Sequence, residues 1–416
     1  MTARRPFSES AALLAVIGLT LFFRLDAVPF NVDESCKIGY SAPFEAFAAG
    51  RFDDPIWQAR EEKYLNPVLT YYVIGAARRL GGYDAAGLNE PWDFRQTDAD
   101  NVRLGRVPES TLLWWSRAGV TVAAGAGLFG LFRLLTRATA RWVAFAWLAG
   151  TLASPYLRTA LRRALNEGVL IATVALTLWA LERALAAFDR REAPFVNWPA
   201  MGWTAVAGAG AGLSAQTKLN GGIIALGVWM VLLLASVRTP AGLGARARAL
   251  ALATAVLAIS ATGTFIGTNP SLWPDPLRDT VRMARARVEI MQAQVIQYPD
   301  DAIGGILESL ARVPPRVLHP DVPLPAGMVL VVLFGVGCTL SAGALARWLR
   351  GDSHGHARIV LTVAGLAVAL PGLLTPLDWS RYYVLPAIFA SLQMAFGLES
   401  TARAVLHSVG KIRWRL

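Results

Sequence analysis

Charge is scarce in this chain. Lys, Arg, Asp and Glu make up 17% of its 416 residues, against about a quarter in soluble domains. That shortage excludes an ordinary soluble domain. Cysteine is nearly absent, and Cys36 and Cys338 alone give neither a disulfide framework nor a metal cluster. Cys338 lies inside an apolar run and reads as packing. The four histidines show no ligand spacing; His354 and His356 sit among arginines in a short loop. No Gly-rich phosphate loop follows a strand, so no nucleotide is expected. The glycines of 207–212 fall within an apolar run, where close helix packing is the default. No cleavable signal is evident, because the first apolar run follows Arg4 and Arg5 and reads as a retained anchor.

What is abundant is apolar sequence: 54% of residues are hydrophobic and mean hydropathy is +0.42. The runs are long enough to cross a hydrocarbon core of about 30 Å. They are continuous rather than alternating, so they read as helices and not barrel strands. Ten spans are predicted: 9–27, 112–132, 142–157, 168–187, 200–216, 220–237, 249–268, 326–346, 358–375 and 382–401. An eleventh over 64–80 would invert everything after it.

Charge placement settles the topology. The net charge of +11 comes from arginines at the ends of apolar runs, which argues against a nucleic-acid partner. With ten spans, Arg4/Arg5, Arg133/Arg137/Arg141, Arg190/Arg191, Arg238/Arg246/Arg248, Arg347/Arg350/Arg358 and Lys411/Arg413/Arg415 share one side, which is therefore cytoplasmic. Segment 64–80 is then an interfacial helix on the outer surface. Two long loops, 28–111 and 269–325, face outward and cap one membrane domain covering 1–416. The expected setting is a multi-pass inner-membrane protein, N-terminus inside, with its chemistry on the non-cytoplasmic face.

Several outer-face residues are candidates for that chemistry, each with a plainer alternative. Asp33 and Glu34 follow the first span; adjacent acids there face water, a cation or a substrate, since lipid is costly for them. Glu167 opens the fourth span. Arg163, four residues earlier, is expected to pair with it on one helical face. Lys218 sits at the hinge between spans five and six, as a site residue or a snorkelling lysine. Lys63 precedes the interfacial helix, and Arg381-Tyr382-Tyr383 opens the last span. His319 is a loop-structure or substrate residue. The stretch from Asn269 to Pro276 is a rigid exit or a pocket wall, with Trp273 as a stacking surface. Arg278, Arg282, Arg285 and Arg287 mark a basic amphipathic helix on anionic lipid.

The ordered set Asp-Glu (33–34), Lys…Asn-Pro-Val-Leu-Thr-Tyr-Tyr (63–72), Arg…Leu-Asn-Glu (163–167), Thr-Lys…Gly-Gly (217–222) and Arg-Tyr-Tyr-Val-Leu-Pro (381–386) resembles the GT-C membrane glycosyltransferases. The nearest branch is the protein O-mannosyltransferase and lipid A aminoarabinose transferase group. The resemblance implies an all-α fold of 10–11 transmembrane helices, with interfacial helices at 42–50 and 64–80. It implies a polyprenyl-phosphate sugar donor and a protein, glycolipid or cell-wall glycan acceptor. Asp33 matches the family's catalytic acid, beside Glu34, and Glu167 stands where relatives carry Asp. Lys63 and Lys218, with Lys37 and Arg163, would contact the donor phosphate. Tyr40, Trp273, Asn269, His319, Arg381 and Tyr382 would contact substrate. No cofactor is implied, and a divalent metal is not favoured because the lysines can neutralise phosphate. Stretch 83–110 looks like an insertion, and the soluble C-terminal domain of some relatives is missing. A transporter or lipid flippase with an outer-face charged site, or a non-catalytic scaffold, remain alternatives.

Overall fold

The computed structural model describes residues 6–58, 67–189, 197–238, 242–318, 324–352 and 355–408. Helices cover all ten predicted spans: α1 (Pro6–Phe22), α6 (Ser110–Ala138), α7 (Arg141–Ala153), α9 (Asn166–Phe188), α10 (Trp198–Thr217), α11 (Ile224–Arg238), α12 (Leu243–Gly267), α15 (Leu324–Leu349), α16 (His356–Leu373) and α17 (Val384–Ser408). The described residues contain no β-strand, only an isolated bridge between Ala302 and Leu377. Among the described residues, six helices are long and apolar enough to cross a membrane, and two more apolar ones are shorter. The first long loop adds α2 (Val32–Gly39), α3 (Pro43–Ala48), α4 (Leu69–Leu80) and α5 (Asp98–Arg103). The second adds α13 (Pro276–Gln297) and α14 (Ile306–Val313).

The core runs through α1, α6, α7, α9, α10, α11, α16 and α17. Small residues let its backbones touch. A Cβ on Gly127 of α6 would stand 2.7 Å from the Ala172 nitrogen of α9, and one on Gly168 would meet the Val120 carbonyl at 2.8 Å. Such contacts replace the hydrophobic drive that helices lack in lipid. Helices α12 and α15 bury little of their surface, and Met328, Val329 and Val332 point outward, as lipid-facing side chains do.

Two breaks were not foreseen from the apolar pattern. The third predicted span stops at Ser154, whose hydroxyl accepts from the Leu157 N–H (3.2 Å) to cap α8 (Pro155–Arg162). Pro155 cannot donate to the preceding turn, so the axis changes there. After α8, Arg163 is extended, which separates it from the helix carrying Glu167. The two residues are not on one helical face, so their expected i,i+4 pairing does not form.

The first long loop packs as a layer on the bundle. Its α4 is wedged against α3 and α6, with Tyr71, Ile74 and Arg78 buried. The Arg78 guanidinium pairs with Glu45 at 2.7 Å. Segment 83–110, read as an insertion, covers the outward side of α2: Ser35 Oγ donates to the Arg106 carbonyl (2.6 Å) and Asn89 Nδ2 donates to Ser35 Oγ (3.0 Å). The two long loops meet where Tyr72 Oη donates to the Thr268 carbonyl (3.0 Å) and Phe52 lies 4.9 Å from Trp273, centre to centre.

Candidate active site

The site begins with the cap of α2. Asn31 accepts from the Asp33 N–H (3.0 Å), while the Glu34 carboxylate accepts from the Asn31 N–H (3.0 Å). This reciprocal capping box fixes the first turn. It sends the two neighbouring acids in different directions.

Glu34 turns inward. Its oxygens take Arg117 Nε and Nη2 at 2.8 Å each and the Ala164 N–H at 2.8 Å. The remaining guanidinium donors go to the Leu25 and Val28 carbonyls. With four donors on one carboxylate, Glu34 has no lone pair left for a substrate. The geometry makes it an anchor rather than the catalytic neighbour expected from the sequence.

Asp33 turns outward to Arg381, 348 residues away, in an ion pair. Arg381 belongs to the short turn Ser380–Tyr383 that leads into α17. Its guanidinium lies 4.7 Å from the Trp379 ring centre and 5.5 Å from that of Tyr382. Trp379 in turn donates from Nε1 to Asp301 at 3.0 Å. Two backbone bonds between 301–303 and 376–378 pin the turn to the second long loop.

Glu167 sits in the first turn of α9, where the helix dipole favours a carboxylate. Lys218 ends α10 and reaches it at 3.3 Å. The same ammonium lies 4.8 Å from the Tyr382 ring centre. Tyr382 therefore has Lys218 and Arg381 against its ring, and joins the Asp33 pair to the Glu167 pair. Glu167, Lys218, Arg381 and Tyr382 line one cleft, whose apolar side is Leu170, Val368, Pro371 and Leu385.

Lys37, one turn after Asp33, is buried, with its ammonium 4.8 Å from the Tyr71 ring centre. Burial pushes it down from 10.5 to about 8, against the pull of Asp33 and Glu167 and with Arg287 adding to the fall. That places half-buried Arg287 within Coulombic reach of Lys37. Met283, one turn earlier on the same face, is fully buried.

Other expected site residues lie elsewhere. Arg163 donates to the Pro29 carbonyl (3.2 Å) and does not line the cleft. Trp273 packs on Phe52 and donates to the Ile266 carbonyl (2.9 Å), and buried Asn269 accepts from Ser271. Tyr40 meets Tyr71 edge-on. Trp273 lies at the seam between the loops, Tyr40 packs within the first loop, and neither they nor Asn269 line the cleft. Lys63, His319 and His354 lie outside the described residues. The acids weighed for a hard cation are divided: Asp33 pairs with Arg381, Glu34 with Arg117 and Glu167 with Lys218. Arg117 and Trp379 were missed. Arg117 sits inside an apolar run, where an ionised side chain demands a partner.

Fold and site together define a polytopic all-α membrane protein with a charged cleft at one end of its helical bundle. The fold is that of the GT-C membrane glycosyltransferases. It is similar to ArnT from Cupriavidus metallidurans bound to undecaprenyl phosphate (TM-score 0.53, 16% identity, 98% of this chain and 64% of that one). The apo form of that protein gives a TM-score of 0.54 at 15% identity, covering 98% and 62%. The Archaeoglobus fulgidus oligosaccharyltransferase in complex with Zn and sulfate gives 0.52 at 13% identity, covering 96% and 51%. The chain spans about half to two-thirds of the length of these structures. No family model matches the sequence, and no curated protein does.

Proposed function

We propose that this chain is a glycosyltransferase that moves a sugar from a polyprenyl-phosphate donor onto an acceptor hydroxyl at the non-cytoplasmic membrane surface. One observation carries the reading. Stretches far apart in sequence gather two acids, Asp33 and Glu167, and three cations, Lys37, Lys218 and Arg381, at and beside a cleft with an apolar wall; Glu167, Lys218 and Arg381 line it, and Asp33 reaches it through Arg381. That combination suits a substrate with a reactive phosphate end and an isoprenoid tail. The undecaprenyl phosphate bound to ArnT, a protein of the same fold, supports the same substrate class.

In this reading the acceptor oxygen forms a bond to the anomeric carbon as the carbon–oxygen bond to phosphate breaks. The acceptor proton passes to Asp33, a step typically worth about 10²–10⁴ in rate. Polyprenyl phosphate leaves, and its developing charge is met by Arg381, Lys218 and Lys37. A single displacement inverts the anomeric centre. Arg381 holds the Asp33 carboxylate in the free protein. A donor phosphate competing for Arg381 frees Asp33 to accept the proton. The two long loops cap the reaction, with acceptor protein, glycolipid or glycan entering beneath them.

The test is incubation of the purified protein with radiolabelled polyprenyl-phosphate sugars and a membrane extract. Label is expected to leave the lipid with the wild type and to stay on it with Asp33→Asn. Equal transfer by the variant removes Asp33 as the base. No release from any donor by the wild type sinks the glycosyltransferase reading.

A further inference from the structure

At the end of the bundle opposite the cleft, Arg358 opens α16 in surroundings the proposed reaction does not use. Its guanidinium lies over the Phe396 ring, 4.4 Å from the ring centre. The Nε and Nη2 atoms are shut off from solvent and meet no acceptor among the described residues. Arg347, in the last turn of α15, and Arg403, on α17, lie within Coulombic reach of it. The Glu399 carboxylate pairs with Arg403 and lies within Coulombic reach of Arg358. Glu399 accepts from the Ala140 N–H (3.1 Å) and from Arg403 Nη2 (2.6 Å), so much of its capacity is already used.

These three guanidinium groups outnumber the Glu399 carboxylate beside them. Like charges gathered on three helices repel unless an anion sits among them. Guanidinium forks match a phosphate better than a point cation does. Stacking on Phe396 fixes the orientation of the innermost fork. Arg347 and Arg403 are exposed at the rim, and the neighbouring α15 presents its apolar surface outward. We propose that Arg347, Arg358 and Arg403 form a phosphate-binding site for the head group of an anionic membrane lipid. The site lies on the face remote from the cleft and is independent of the glycosyltransferase reading. Inorganic phosphate shares the same chemistry, so the test separates the two sources.

The full chain in detergent is titrated with short-chain phosphatidylglycerol, with phosphatidylcholine and with inorganic phosphate. Thermal unfolding is followed, and retained lipids are counted by native mass spectrometry. Phosphatidylglycerol is expected to raise Tm and to be retained, whereas phosphatidylcholine does neither. Affinity is expected to fall about fivefold for each of Arg347→Gln and Arg403→Gln. Both positions are exposed, so these variants test the site without emptying the core. Arg350→Gln, an exposed arginine on the same connection, should bind like the wild type. A double variant with wild-type affinity, or an equal loss in Arg350→Gln, overturns the site. A Tm rise with inorganic phosphate and none with phosphatidylglycerol overturns the lipid as ligand.

Discussion

Glu34 and Arg117 join α2 to α6 through two hydrogen bonds of 2.8 Å, with side chains 0% and 1% exposed. This pair holds the helix that carries Asp33 and Lys37 against the bundle. A buried pair is dangerous to halve, because the survivor keeps its charge without a partner. Glu34→Ala is expected to destabilise by about 3–5 kcal/mol, read as a large fall in Tm. The double change Glu34→Gln with Arg117→Met should recover much of it. A single variant that unfolds with the wild type would contradict the anchoring role.

Lys37 gives the site a pH limit. Burial sets its ammonium at about 8, so above that pH the neutral amine dominates and cannot meet a phosphate charge. The profile of kcat/KM, which reports free-enzyme groups, is expected to fall as pH rises through about 8. Lys37→Arg keeps its charge and should move that fall to higher pH. Stability runs the other way. Between about 8 and 10.5 the unfolded lysine holds more protons than the folded one, so this group's contribution rises with pH. An unchanged limb in Lys37→Arg assigns it to another residue.

Arg381 contacts Asp33 and two aromatic rings, so charge alone does not replace it. Losing one charge-assisted hydrogen bond costs about 1.5–3 kcal/mol, or roughly 10- to 150-fold in kcal-to-rate conversion. Arg381→Gln is expected to lose at least tenfold in kcat/KM for the lipid donor. Arg381→Lys should recover only part of that, because lysine lacks the planar fork. Full activity in Arg381→Gln would exclude it from the donor site.

Topology calls for a reactive thiol in the first long loop, and Cys36 is a poor one. Burial first, then the nearby Asp33 carboxylate, pushes its thiol up to about 11. Its sulfur also contacts the Trp92 carbonyl at 3.6 Å. Slow labelling at neutral pH is expected for Cys36. Ala86→Cys, on an exposed turn, should react in intact cells with an impermeant maleimide. Reaction of Ala86→Cys only after lysis would invert the orientation.

Much of the bundle is written in apolar run lengths, and helices occupy each predicted span. The long-range pairs are not written there. Asp33 and Arg381 are 348 residues apart, and Glu34 and Arg117 are 83 apart. Run length says where a helix lies, not which residue it brings to a neighbour. Asp33 and Glu34 look equivalent in sequence, and only the capping box of α2 sends one to Arg381 and the other inward. Arg163 and Glu167 looked paired because four-residue spacing assumes an unbroken helix. Pro155 hinted at the first break, and the extended residue after α8 has no comparable sequence mark.

Helix α7 has 13 residues and therefore rises only about 20 Å, short of the about 30 Å hydrocarbon thickness. Where it stops, α8 turns aside, with Tyr156 donating to the Ser380 carbonyl at 2.5 Å and Arg162 to that of Phe23 at 2.6 Å. The wall of the bundle is thus lower on this flank than elsewhere. For the donor proposed above, an anchor kept in the fatty layer would let its head pass sideways over this step without lifting anything hydrophobic into water.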